Sequence, residues 1–382
     1  MYECRSGVKP ARCTAQLRKD ESHSWLLNRS VCDTLFRGTP DARHPYPLQA
    51  SVRATVLRRE WSLLYGPGAQ RLVHTTNSIQ RAPQVPAKVK KGRKMPGNPI
   101  SCHLITWGQD FERGLREVEE LGFHACEPFP QRALEYEARP QDFRELLASH
   151  HLRLSALYGG GRFGDPAQRE AVIERNKRLA RFLAAIGVDR LVFGPGGPRT
   201  PGGSTPEELR EAAKTINEAA RACYDLGVLA CVHPHLGTEI ETEPEIDTVM
   251  ELTDPRYVFF CPDTAHLTAA EIDVPRMIRR YSERMRYMHI KDLRAGVIEE
   301  RRRQRAGEAS KESEKVDTGT EQLPIFCELG RGIIDYAPIM QALADVRYRD
   351  WITIEIDVSM TTPKESLSIC RDYIQNTLGL QI

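Results

Sequence analysis

The sequence predicts an α/β protein, a (β/α)8 barrel preceded by a basic N-terminal extension. Three observations predict it. From residue 100, eight short apolar runs rich in β-branched and aromatic residues alternate with eight segments of 3.6-residue periodicity. The alternation spans roughly 280 residues, the size of such a barrel. The last four apolar runs each end in ionisable side chains, where a barrel keeps its chemistry. A doubly wound open sheet would use fewer strands and a switch-point loop.

Strands are expected over 100–107, 123–127, 153–158, 190–194, 228–233, 257–262, 286–290 and 351–356. Helices are expected over 110–121, 140–150, 166–187, 205–226, 243–253, 273–285, 335–345 and 363–378. Pro166 and Pro206 suit a first helical turn, with Asp165 and Thr205 as N-caps. Gly122, Gly187 and Gly227 close helices ahead of strands.

The net charge of +2 hides a split. Residues 1–100 carry 18 Lys+Arg against 6 Asp+Glu, while the rest carry 36 against 46. A basic arm is therefore joined to an acidic body, and residues 1–98 are expected to form a low-structure extension. Its apolar stretches are short and broken, which leaves too little buried surface to offset chain entropy. A tail for nucleic acid is one reading of the arm. A transit peptide conflicts with Glu3, Asp20 and Glu21. The preferred reading places the functional start at Met95, which leaves 288 residues.

No run of about 18 apolar residues is present, so the sequence predicts no membrane span. None of the ten cysteines forms C-x-x-C, which argues against a zinc ribbon or a redox pair. Cys231 and Cys261 lie in apolar runs and read as buried free thiols of a cytoplasmic protein.

The strand ends carry Trp107, Glu127, Tyr158, Gly194, His233 with His235, Asp263 with His266, His289 with Lys291, and Glu355 with Asp357. Neighbouring ends around one rim can bring His233, Asp263, His289 and Glu355 to one point. Two imidazoles and two carboxylates suit one divalent ion, with Mn²⁺ or Co²⁺ ahead of Mg²⁺, Fe²⁺ or Zn²⁺. A single histidine at a loop edge is more often a capping residue; four such residues at equivalent positions are not. Gly159–Gly164 matches G-x-G-x-x-G, yet the next strand ends in Gly-Pro-Gly-Gly rather than an acidic residue. It reads as a loop at the barrel mouth. Trp107, Phe129 and Tyr158 suit an apolar wall for a ring-shaped polyol, or ordinary core packing.

The runs His233-Pro-His-Leu-Gly-Thr238, Asp263-Thr-Ala-His266, His289-Ile-Lys-Asp292, Glu328-Leu-Gly-Arg-Gly-Ile-Ile-Asp335 and Ile354-Glu355 resemble the xylose-isomerase-like TIM-barrel superfamily of sugar isomerases and epimerases. The His-x-His-x-Gly-Thr element and the opening Ser101–Trp107 are similar to inosose dehydratases. The resemblance covers 99–382 and implies a divalent metal at the ends of strands five to eight. It also marks 295–324 as a charged insertion, expected to be mobile and near the mouth of the site. One departure stands out: the isomerases and epimerases of this group usually place a Glu at the end of strand five, where this chain has His233, which favours a dehydratase-like reading over a two-glutamate shuttle.

The implied chemistry is enolisation of a small polyhydroxylated carbonyl compound. Candidate bases are Glu355, His235, Lys291 and Glu328, and Lys291 or His266 is the candidate acid. Expected substrate contacts are Trp107, Glu127, His266 and Arg294. Isomerisation, epimerisation and dehydration share this first step, and the residues do not choose among them. The expected partner is a sugar or cyclitol; self-association into a homo-oligomer is left open, and neither membrane nor nucleic acid is expected. Two other readings are an abasic-site DNA endonuclease of the same fold and a non-catalytic sugar-binding barrel. The first needs further histidines at strand ends that here carry Glu127 and Tyr158.

Overall fold

The computed structural model describes residues 97–306 and 323–382. Most of the expected extension and residues 307–322 of the insertion lie outside them.

Eleven strands are present among the described residues: β1 Ile100–His103, β2 Ala125–Glu127, β3 Arg153–Leu154, β4 Leu157–Gly161, β5 Arg190–Pro195, β6 Leu229–Val232, β7 Val258–Phe260, β8 His289–Ile290, β9 Asp292–Leu293, β10 Phe326–Cys327 and β11 Ile352–Ile354. One parallel sheet runs β3-β2-β1-β11-β8 and another runs β4-β5-β6-β7. Parallel bridges Phe260–Met285 and Asp263–His289 join β7 to β8. On the other side Ser155 and Ala156 carry β3 directly into β4. The two sheets therefore close into the expected eight-stranded barrel, while β9 and β10 form a small antiparallel pair at the rim.

Alternation along each strand separates two apolar layers. Leu191 and Phe193 of β5 join the large cluster shared with the helices, whereas Val192 joins Ala156, Cys231, Cys261 and Tyr287 in the interior. Cys231 and Cys261 are buried free thiols, as expected. Where β4 passes β5, a Cβ on Gly160 would lie 2.0 Å from the carbonyl oxygen of Gly194, so only glycine allows this approach.

The helices are α1 Phe111–Glu120, α2 Pro130–Leu134, α3 Pro140–Ser149, α4 Arg169–Ala185, α5 Pro206–Tyr224, α6 Glu243–Leu252, α7 Thr264–Ala269, α8 Val274–Arg280, α9 Val297–Arg305, α10 Tyr336–Asp345 and α11 Pro363–Tyr373. The longest, α5, shows the causes plainly. Thr205 and Glu208 form a reciprocal capping box, and Pro206 fills the first turn. Leu209, Ala212, Ile216, Ala219 and Cys223 are buried on one face. Gly227, at φ 80°, stops the chain ahead of β6.

Four differences from the sequence reading matter. The first strand ends at His103, and Leu104–Trp107 turn into a 3-10 helix capped by the His103 side chain. Asn98, assigned to the extension, is buried and donates to the carbonyls of Tyr348 and Asp350. The short helix α7 begins immediately after Asp263. Residues 297–305 of the expected mobile insertion form α9, where Arg301 and Arg305 pair with Glu241 and Arg302 pairs with Glu271.

Candidate active site

Four strand ends converge. His233 follows β6, Asp263 follows β7, His289 opens β8 and Glu355 follows β11. One ligand atom from each lies within 4.8 Å of the others, and all four side chains are buried. The backbone fixes the aim of Asp263. Its Oδ1 accepts from the amides of Ala265 and His266, both at 2.8 Å, and so caps α7. Its Oδ2 is left without a hydrogen-bond partner, whereas His289 Nδ1 and Glu355 Oε2 lie 2.9 Å from each other. Orphaned polar atoms are costly inside a protein. Here the Asp263 oxygen belongs to a donor set of two imidazoles and two carboxylates, which fits one divalent cation.

A second layer orients these groups. His289 Nε2 sits 2.8 Å from Glu127 Oε2, which also accepts from the Tyr287 hydroxyl at 2.9 Å. That hydroxyl in turn accepts from Thr353 and contacts Ser155, which meets Ser101. A polar floor thus crosses the barrel beneath the site. Sequence reasoning missed it, because Tyr287 reads as an ordinary aromatic in a strand-like run.

Lys291 is almost fully buried, with Nζ 2.9 Å from Glu355 Oε2, 2.9 Å from Asp357 Oδ1 and 3.6 Å from Asp263 Oδ2. Burial opposes its charge, but Asp263, Asp357 and Glu355 outweigh burial and hold its pKa well above the ordinary lysine value. Burial likewise opposes the charge on Glu355, yet Lys291 and His289 keep it ionised far below the usual range. Burial pushes Asp263 up to about 6, against the pull of Lys291. His289 is held up to about 10, because Glu127 and Glu355 overcome its burial. His233, His235 and His266 go the other way: burial lowers all three, so they are neutral at neutral pH.

His235 lies half-buried beside this cluster. Its Nδ1 is 2.8 Å from the carbonyl of Leu236, which fixes the proton there and leaves Nε2 as an acceptor. Its ring lies against that of His266, with centroids 3.8 Å apart and the planes tilted by 40°, and His266 Nε2 is 3.4 Å from Lys291 Nζ.

Three expected site residues are not brought here. Trp107, carried round by the 3-10 turn, packs over Gly114 and donates from Nε1 to Glu117. Glu328 accepts from Ser366, in a loop whose amides of Gly330, Gly332 and Ile334 donate to Asp292. Arg294 is held by Glu300 and the carbonyl of Pro324. The glycine loop at 159–164 is also accounted for: the amides of Phe163 and Gly164 donate to the Glu239 carboxylate, where a phosphate would otherwise sit.

Among the described residues, both side-chain groups able to hold a metal share His233 and His289, so they form one locus rather than a multi-metal cluster. No helix among them is long and apolar enough to cross a membrane.

The comparisons with known proteins agree with this architecture. The sequence model of the xylose isomerase-like TIM barrel matches residues 115–373. An inosose dehydratase of Geobacillus kaustophilus is 30% identical over 275 residues, covering 68% of this chain and 85% of the relative. An inosose dehydratase of Klebsiella pneumoniae is 31% identical over 290 residues, covering 71% and 91%. Among solved structures, the IolI protein with a bound zinc atom superposes with a TM-score of 0.57 at 16% identity, over 73% of this chain and 97% of its own. A match across this much of the sequence, on a barrel whose strand ends converge as described, makes the chain an enzyme of the xylose isomerase-like TIM barrel family.

Proposed function

We propose that the protein dehydrates a cyclic polyhydroxylated ketone of the inosose class, working through one divalent ion held by His233, Asp263, His289 and Glu355. The observation that carries this reading is the convergence of those four buried side chains, one with an orphaned carboxylate oxygen, beside a cationic lysine and a neutral histidine. The similarity to inosose dehydratases supports the substrate class. When bound, a divalent ion supplies Lewis acidity that polarises a carbonyl and its neighbouring hydroxyl.

The protein groups divide the proton work. His235, with its free Nε2 lone pair and lowered pKa, removes the proton from the carbon next to the carbonyl. The electron pair of that C–H bond forms the carbon–carbon double bond. Lys291, held protonated by its three carboxylates, donates a proton to the departing β-hydroxyl, which leaves as water. The proton on His235 then passes to solvent, and Lys291 is reprotonated. Glu355 acts here as a ligand and as the anion that keeps Lys291 charged, rather than as the mobile base. His266 packs against the His235 ring and limits its movement. The free cysteines among the described residues support a cytoplasmic setting.

The test is a substrate screen of inososes and ketohexoses with NMR detection of products, on protein of measured metal content. Loss of water from an inosose upholds the reading. Epimerisation of ketohexoses with inososes left untouched replaces it by a sugar epimerase.

A further inference from the structure

Two buried polar atoms face each other beside the metal locus without touching. His103 ends β1, and its Nδ1 accepts from the amide of Ile105 at 3.0 Å. The ring proton therefore sits on Nε2, which has no hydrogen-bond partner. Glu127 ends β2, and its Oε2 is occupied by Tyr287 and His289. Its Oε1 is unpartnered as well. These orphaned atoms are 4.0 Å apart, on side chains 1% and 0% exposed. That is too far for a hydrogen bond. One oxygen set to the side, about 2.8 Å from each, would satisfy both with an angle near 90°. The pair offers one donor and one acceptor, which is the complement of a hydroxyl and not of a cation.

We propose that His103 Nε2–H and Glu127 Oε1 form a subsite for one substrate hydroxyl, donating to its oxygen and accepting its proton. The proposal rests on the cyclic polyol substrate argued above. The position suits that role. Glu127 also holds His289, and the His103 and His289 rings are 5.9 Å apart, so the hydroxyl recognised is one close to the reacting carbonyl. The rings of Phe129 and Tyr158 meet His103 edge-on at 5.2 and 6.3 Å and give the subsite an apolar rim. A hydroxyl lost from the substrate leaves both groups unsatisfied in a dry place, so discrimination against a deoxy analogue is strong.

The experiment compares an inosose with its mono-deoxy analogues on the full chain and on two variants, with metal content checked in each. His103→Asn keeps an acceptor near the Nδ1 position for the Ile105 amide but has nothing at Nε2. His103→Gln keeps an N–H near Nε2. The wild type should disfavour one deoxy analogue by about tenfold or more in kcat/KM. His103→Asn should lose that preference, and His103→Gln should retain most of it. Undiminished preference in His103→Asn, or equal loss in both variants, overturns the subsite. A wild type that binds no inosose and no ketohexose defeats the functional reading instead. The subsite is then judged from crystals of the full chain soaked in glycerol. A hydroxyl oxygen bonded to both His103 and Glu127 upholds it, and a direct His103–Glu127 bond without one overturns it.

Discussion

His289 and Glu127, 162 residues apart, meet through Nε2 and Oε2 at 2.8 Å with both side chains fully buried. The contact turns the His289 ring so that Nδ1 points at Glu355 and the open side of the cluster. A carboxylate behind a ligating histidine fixes its tautomer and raises its basicity. Glu127→Gln should therefore lower metal affinity by roughly 10–100-fold while the protein stays folded. Titration with Mn²⁺ or Co²⁺ followed by calorimetry measures it; unchanged affinity would mean that Glu127 does not support His289.

Asp263 has two separable jobs, since Oδ1 caps α7 and Oδ2 faces the cluster. Asp263→Asn keeps an oxygen for the cap and puts a donor toward the ion. It should lose the metal with little change in melting temperature. Asp263→Ala removes the cap too and should cost about 1 kcal/mol more in stability. Metal analysis and thermal melts on the two variants separate these effects.

On the resemblance set out above, His233 stands where isomerases and epimerases of the superfamily carry Glu. A neutral ligand leaves more positive charge on the ion than a carboxylate does, which strengthens carbonyl polarisation. His233→Glu should keep the metal while slowing dehydration of an inosose, and it should gain epimerisation of ketohexoses. Product analysis by NMR, with metal content measured, distinguishes this from simple loss of the site.

Glu245 gives a pH dependence. Burial opposes its charge, but Arg199 and the amides of Thr242, Glu241 and Ser204 bring it from 4.5 down to about 2. A depressed folded pKa means that its contribution, about 3 kcal/mol, is complete above pH 4.5. It is lost as pH falls from there toward 2. Glu245→Gln should be less stable than wild type at pH 7, and the gap should close over that window. Urea unfolding at several pH values measures it.

The barrel was legible because its signals are local. Apolar runs, capping residues and closing glycines all act within a few positions, and eight repeats of one pattern leave little topological choice. The four ligand candidates were legible as candidates for the same reason, as His233, His289 and Glu355 directly follow or begin a strand and Asp263 comes three residues after one. Trp107 misled because the apolar run Leu104–Trp107 continues the strand pattern, whereas the His103 side chain caps a 3-10 turn there. The same cause hid His103 itself. Glu328 and Arg294 lie in motifs of the right kind, but long-range contacts with Ser366 and Glu300 decide where they point. The Tyr287 floor depends on five chain segments meeting inside the barrel, which no local pattern announces.

The central claim is that one divalent ion at His233, Asp263, His289 and Glu355 makes a ketone's neighbouring C–H exchangeable. The direct measurement is solvent deuterium incorporation into an inosose, followed by NMR with metal-loaded protein, chelator-stripped protein and Asp263→Asn. The account predicts incorporation only with the loaded wild type, at one ion per chain. Equal incorporation by the stripped protein, or none by a wild type carrying one ion on any inosose or ketohexose, would contradict it.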